Sequence, residues 1–157
     1  TGLGALETMR LEKAFRDMGH DIDSTDTPLE AGLGFAVAWD KSGGFVGKDA
    51  LEMQRAWPQQ PKRLVCLALA DNSVNAPMIY HEEPICRNGV IVGSTTSGAW
   101  GHRLNLSLGL GYVKNEAGVT KDWIDSGEWE VELAWKRYAA RVQLQCFYDP
   151  KGERIKA

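Results

Sequence analysis

Asn88-Gly89 stands between two apolar runs, Ile85 to Arg87 and Val90 to Thr96. A two-residue Asn-Gly link favours positive φ at both positions and joins antiparallel neighbours. That dipeptide commits the second half of the chain to an antiparallel sheet. Further runs of strand length lie on either side of it: Arg63 to Ala70, Ser107 to Val113, Trp129 to Trp135 and Tyr138 to Phe147. Trp129, Val131, Leu133 and Trp135 alternate with Glu130, Glu132 and Ala134, the pattern of a strand half in water. Lys136-Arg137 is predicted to turn the chain, and Asp149-Pro150-Lys151-Gly152 to close the domain. Short strands at this spacing predict a compact β-barrel or sandwich.

The first sixty residues have a different texture. Leu6, Met9, Ala14, Phe15 and Met18 recur close to helical spacing, and Gly19 follows the last of them. This predicts a helix from Gly4 to Met18 with Gly19 as its stop. A polar stretch runs from His20 to Thr27, and Pro28 turns Thr27 away from helical geometry. Phe35, Val37 and Trp39 alternate with Ala36 and Ala38, predicting a strand with one tightly packed face. A second helix is predicted over Lys48 to Ala56, ended by Pro58. The proline and glutamine stretch from Trp57 to Lys62 is the best candidate linker. Two parts result, residues 1–60 of mixed helix and strand, and residues 61–157 forming a barrel. The fold class is α+β.

Several functions are excluded by composition. Hydrophobic residues are 43% of the 157, enough for a core. A net charge of −3 without a basic cluster gives no footprint for nucleic acid. No apolar run is long enough for a membrane helix, and no secretory leader is visible. Cys66, Cys86 and Cys146 are widely spaced, as in a reducing compartment, so the expected location is cytoplasmic. The chain starts at Thr1 without Met and enters a helical pattern at once, as a piece of something longer does.

Candidate chemistry is sparse. His20, His81 and His102 are single and form no metal-ligand spacing. Asp21, Asp23 and Asp26 lack the spacing and central glycine of a calcium loop and read as a solvated, turn-forming segment. Glu30, at the start of an apolar stretch, is either bonded to backbone or part of a polar pocket. Gly93-Ser94-Thr95-Thr96-Ser97-Gly98 opens no helix and carries no lysine, so it reads as a bulged strand end rather than a phosphate loop. Ser97 has no nucleophile-elbow context. Cys66 and Cys86 lie on apolar strands and are expected to be inert.

Three runs carry a resemblance: MRLEKAFRDMGHDID (Met9 to Asp23), TPLEAGLGF (Thr27 to Phe35) and FVGKDAL (Phe45 to Leu51). With GSTTSG (Gly93 to Gly98) and LGLGYV (Leu108 to Val113), they resemble the C-terminal part of the glycine-cleavage T-protein family of aminomethyltransferases. RLEKAFR (Arg10 to Arg16) and FYDPKGER (Phe147 to Arg154) are similar to the flavin-dependent dimethylglycine and sarcosine dehydrogenases or oxidases of that family.

The resemblance implies the end of a tetrahydrofolate-binding domain followed by an antiparallel barrel. The parent enzyme would oxidise a small N-methyl amine with FAD in a missing upstream domain and pass the one-carbon unit to tetrahydrofolate. The family's catalytic aspartate and central folate-binding glutamate lie outside this chain, so the chain alone is expected to be inactive, with no catalytic residue of its own. Leu6 stands where the T-proteins place a folate-holding arginine, Met18 where they place a tyrosine, and Asp149 where they place a late arginine. Phe15 and Arg154 are the candidate folate-binding residues. The alternatives are a non-catalytic barrel that braces a larger assembly, and a stand-alone aminomethyltransferase. Expected partners are folate, the amine and the upstream flavin and folate domains, with no nucleic acid, membrane or metal.

Overall fold

The computed structural model describes residues 2–73, 75–154 and 156. Six strands close into a barrel: β1 (Lys62–Leu69), β2 (Pro84–Arg87), β3 (Val90–Gly101), β4 (Leu106–Lys114), β5 (Trp129–Leu133) and β6 (Lys136–Gln143). Their order around the barrel is β1-β4-β3-β2-β5-β6, and every pairing is antiparallel. Closure leaves no free sheet edge. The expected α+β class and antiparallel barrel are therefore what the chain forms. Asn88 and Gly89, at φ 49° and 79°, make the expected link from β2 to β3.

β1 shows why its apolar run is nearly continuous. Val65, Leu67 and Leu69 face the barrel interior with Ile85, Val113 and Val131. Leu64 and Cys66 face outward against Leu11 and Ala14 of the N-terminal segment. A strand covered on both faces has no polar side to alternate. Cys66 is buried between the layers, and burial pushes its thiol up to about 12 against the opposing charge of Arg16.

Four expectations are corrected. Helix α1 spans Leu3–Glu12 rather than running to Met18. It ends in a Schellman motif: Phe15 N–H donates to the Arg10 carbonyl at 2.9 Å, Ala14 N–H to the Leu11 carbonyl at 3.0 Å, and Ala14 takes φ 54°. Ala14 is only 2% exposed and packs on the barrel, while Phe15 and Met18, at helical spacing, lie on the surface. Their periodicity imitates a core stripe. The stretch from Phe35 to Trp39 is no strand. Gly34–Ala36 is a short 3-10 turn, and Trp39 Nε1 donates to the Gly34 carbonyl at 3.1 Å. Among the described residues, no strand pairs with this stretch, so the alternation has no sheet to join.

The β5–β6 turn falls on Ala134-Trp135, not Lys136-Arg137. Leu133 pairs with Lys136, so a two-residue link is required and both residues take positive φ. Finally, a short helix α3 (Lys121–Asp125) was not foreseen. It is capped by Thr120, whose Oγ1 accepts from Trp123 N–H at 3.0 Å, and its Ile124 joins the barrel core. Helix α2 (Lys48–Arg55) matches its expected place.

Candidate functional site

The seam between residues 2–61 and the barrel holds two features, a buried polar clamp and an open groove. The clamp is centred on Asp21, which is fully buried. This corrects the expectation of a solvated loop. Its Oδ2 accepts from Arg10 Nη1 at 2.5 Å and from Asp17 N–H at 2.9 Å. Its Oδ1 accepts from Thr96 Oγ1 and, at 2.7 Å, from Ser97 Oγ. Consecutive strand residues ordinarily point to opposite faces. Here the register of β3 against β4 shifts between Thr95 and Ser97, and the bulge turns both hydroxyls toward one oxygen. The GSTTSG turn thus holds a carboxylate of its own chain rather than a phosphate.

Arg10 is shared. Its Nε donates to Glu7 Oε2 at 2.9 Å and its Nη1 also reaches the Phe15 carbonyl at 3.2 Å. Burial works to lower its pKa, but Glu7 and Asp21 outweigh it and hold the guanidinium above its ordinary value. Glu12 closes the same seam by accepting from Arg103 N–H at 2.6 Å. Glu30 belongs to a capping arrangement: its Oε2 accepts from Thr27 N–H at 3.0 Å, and its N–H donates to Thr27 Oγ1 at 3.2 Å. The backbone-bonded alternative for Glu30 is the observed one.

The groove, of about 780 Å³, runs from the end of α1 to the residues after β6. Phe15, a candidate binding residue, lies along it and is 59% exposed. Lys13, Arg16, Lys151 and Lys156 line it too, and among the described residues no carboxylate side chain does. Arg154, the other candidate, is not among the lining residues. Its guanidinium lies 5.5 Å from the Tyr148 ring centre, and Tyr148 does not line the groove either. Lys13 reaches the same corner, donating to the Asp149 carbonyl at 2.6 Å and lying 3.4 Å from Asp149 Oδ2. Where the resemblance expects an arginine, Asp149 thus holds a lysine delivered from the end of α1. Leu6 and Met18, the other departures, are 53% and 75% exposed.

Partial burial pushes the Asp149 carboxyl up, but the N–H groups of Arg154 and Glu153 and the Lys13 ammonium more than reverse this and hold it below its ordinary value. Stabilisation from a lowered carboxyl is complete above the unfolded value, about 3.9, and is lost as pH falls through the lower folded value. The Glu153 and Arg154 amide resonances are accordingly expected to titrate with a midpoint below about 3.9, and to stop doing so in Asp149→Asn. A midpoint at or above that value would contradict the turn's geometry.

Lys13, Arg16, Gly32 and Lys151 were missed by sequence reasoning, because the groove joins segments far apart in the chain. Among the described residues, no group of three or more His, Cys, Asp or Glu side chains is placed to hold a metal. Among them, no helix is long and apolar enough to cross a membrane.

Comparison with known proteins gives a consistent outcome. A family model described as "Glycine cleavage T-protein C-terminal barrel domain" matches residues 62–149, and one described as "GCVT N-terminal domain" matches residues 1–41. The 4-methylaminobutanoate oxidase (formaldehyde-forming) of Paenarthrobacter nicotinovorans is 42% identical over 156 residues, covering 99% of this chain and 18% of that protein. The mitochondrial sarcosine dehydrogenase of Mus musculus is 35% identical over 157 residues, covering 99% of this chain and 16% of that protein. The chain thus spans less than a fifth of either relative. The crystal structure of the glycine cleavage system aminomethyltransferase T from Bartonella henselae superposes with a TM-score of 0.75 at 28% identity, covering 96% of this chain and 40% of that one.

Proposed function

The chain belongs to the glycine cleavage T-protein family, and from that premise we propose that it forms one wall of a tetrahydrofolate pocket in an enzyme moving a one-carbon unit from an N-methylated amine to folate. Residues 1–60 are the end of the folate-binding domain and residues 61–157 its C-terminal barrel. The similarity to an oxidase and a dehydrogenase supports a flavin-linked parent.

The groove carries this reading. Its volume suits a ligand of folate size. An exposed phenyl ring offers a stacking face for a pterin or benzoyl ring, and the lining cations Arg16, Lys151 and Lys156, with Lys13 already held by Asp149, suit a ligand ending in carboxylates. FAD does not fit here. Among the described residues, no strand leads through a glycine-rich loop into a helix, so no step by flavin is assigned to these residues.

Neither Asp21 nor Asp149 supplies the acid–base group. Asp21 is enclosed by four donors, and Asp149 holds Lys13 and two backbone amides. Neither is free to move a proton to the amine nitrogen of folate that attacks the iminium carbon. The carboxylate that does so comes from outside these residues, and the chain alone is inactive. Its task is to orient the folate, a contribution made by positioning rather than proton transfer.

Calorimetric titration with tetrahydrofolate tests this. Phe15→Ala removes an exposed ring without disturbing the core and is expected to weaken binding about fivefold to tenfold. Arg154→Ala, losing one charge outside the groove lining, is expected to weaken it less. Wild-type affinity in Phe15→Ala would count against the groove. Leu6, exposed where the family's arginine is expected, favours the second reading of a barrel that only braces a larger assembly. Absence of any tetrahydrofolate binding to the wild type would establish that reading instead.

A further inference from the structure

We propose that Arg16 and Arg63, facing one position across Gly32, form a carboxylate-binding subsite where the groove meets β1. Arg16 uses Nε on the Ala31 carbonyl at 3.0 Å and Nη1 on the Ala14 carbonyl at 2.7 Å, both neutral acceptors. The Arg63 side chain makes no hydrogen bond among the described residues, and its Nε is sealed from solvent without a partner. Neither guanidinium forms an ion pair among the described residues. The nearby carboxylates are committed elsewhere. Glu30 is turned to Thr27 and Lys62, Asp26 to Lys62, and Asp21 to Arg10.

Two like charges held together in a partly buried place, with a donor unsatisfied, is an arrangement that folding alone disfavours. The Arg63 pKa is lowered by burial and then by the charge of Arg16, as expected for cations sharing a space with no anion. Gly32 defines that space. A Cβ there would lie 3.1 Å from Arg16 Nη2 and 3.9 Å from Arg63 Nη2, with no other atom of the described residues beyond its chain neighbours within 4 Å. Gly32 has φ 71° and lines the groove with Arg16, while Arg63 stands behind it, so any side chain there would crowd the Arg16 guanidinium. Arg16 Nη2 and Arg63 Nη2, neither hydrogen-bonded among the described residues, approach one partly desolvated position, and a carboxylate can accept from both.

The subsite deepens the folate reading and rests on it for the identity of the ligand, whose glutamyl end carries the carboxylates. It is independent of Phe15, which addresses the ring system. A carboxylate free in solution would meet the same donors, so the test separates the sources.

Isothermal titration of the wild type, Arg63→Met and Arg63→Lys with tetrahydrofolate, N-benzoyl-L-glutamate, glutarate and 6-methyltetrahydropterin decides it. Arg63→Met is expected to weaken tetrahydrofolate and benzoylglutamate about tenfold, with partial recovery in Arg63→Lys and no change for the carboxylate-free pterin. Arg63→Met without ligand is expected to melt at or above the wild-type temperature, because an unpaired charge has been removed. A merely structural role would lower it. Arg63-dependent binding of glutarate equal to that of benzoylglutamate supports the subsite and assigns it to free dicarboxylates. Benzoylglutamate binding that needs Arg63 while tetrahydrofolate fails to bind upholds the subsite and overturns the folate reading. Tetrahydrofolate binding indifferent to Arg63→Met, or no binding of any carboxylate by the wild type, overturns the subsite.

Discussion

Asp21→Ala is expected to destabilise the chain by about 3–5 kcal/mol, the range for breaking a buried ion pair from one side. The substitution leaves Arg10, only 9% exposed, without its buried partner, and leaves the Thr96 and Ser97 hydroxyls without their acceptor. Removing both ends is expected to cost less than the sum of the single changes. In Asp21→Leu/Arg10→Met no buried charge is stranded, since the side chain of Glu7, the other partner of Arg10, is 39% exposed, and the apolar replacements recover part of the loss. Urea unfolding followed by tryptophan fluorescence reads the difference as a shift in midpoint. A loss below about 1 kcal/mol would mean that the clamp is hydrated and contributes as a surface pair does. Because Asp21 ties the turn after α1 to the bulge of β3, tetrahydrofolate affinity is expected to fall in the same variant.

Gly98→Ala carries the second large effect. Gly98 pairs with Gly109 between β3 and β4, and a Cβ at Gly98 would lie 2.1 Å from the Ile79 carbonyl oxygen. Ile79 is fully buried, and its N–H donates to Ser107 Oγ at 2.7 Å, so this segment has no room to retreat. The expected cost is about 3 kcal/mol, at the upper end for overpacking. Gly43→Ala is the control. Among the described residues beyond its chain neighbours, nothing lies within 4 Å of a Cβ there, and the expected change is within about 0.5 kcal/mol. Equal melting temperatures for the two variants would refute the close approach of Ile79 to the strand.

The barrel was legible because its signals are local. The Asn88-Gly89 link, the alternation in β5 and the two-sided apolar run of β1 each depend on neighbours within a few residues. Errors arose where tertiary contacts decide. The end of α1 is set by Ala14 packing on β1, which periodicity does not register when Phe15 and Met18 continue the stripe on the surface. Asp21 reads as polar and therefore solvated, yet its four donors come from three separate places in the chain. The groove was legible in part. Phe15 lines it, whereas Arg154 does not and sits over the Tyr148 ring. Arg16, Gly32 and Lys151 meet only in the folded chain.

The central claim, that the groove beside Phe15 receives folate, is tested most directly by amide chemical-shift mapping of the chain as tetrahydrofolate is added. The account expects the largest shifts at Phe15, Arg16, Gly32 and Lys151, with the α3 residues Lys121 and Asp125 unmoved. Shifts centred on α3, or none at saturating ligand, would contradict it.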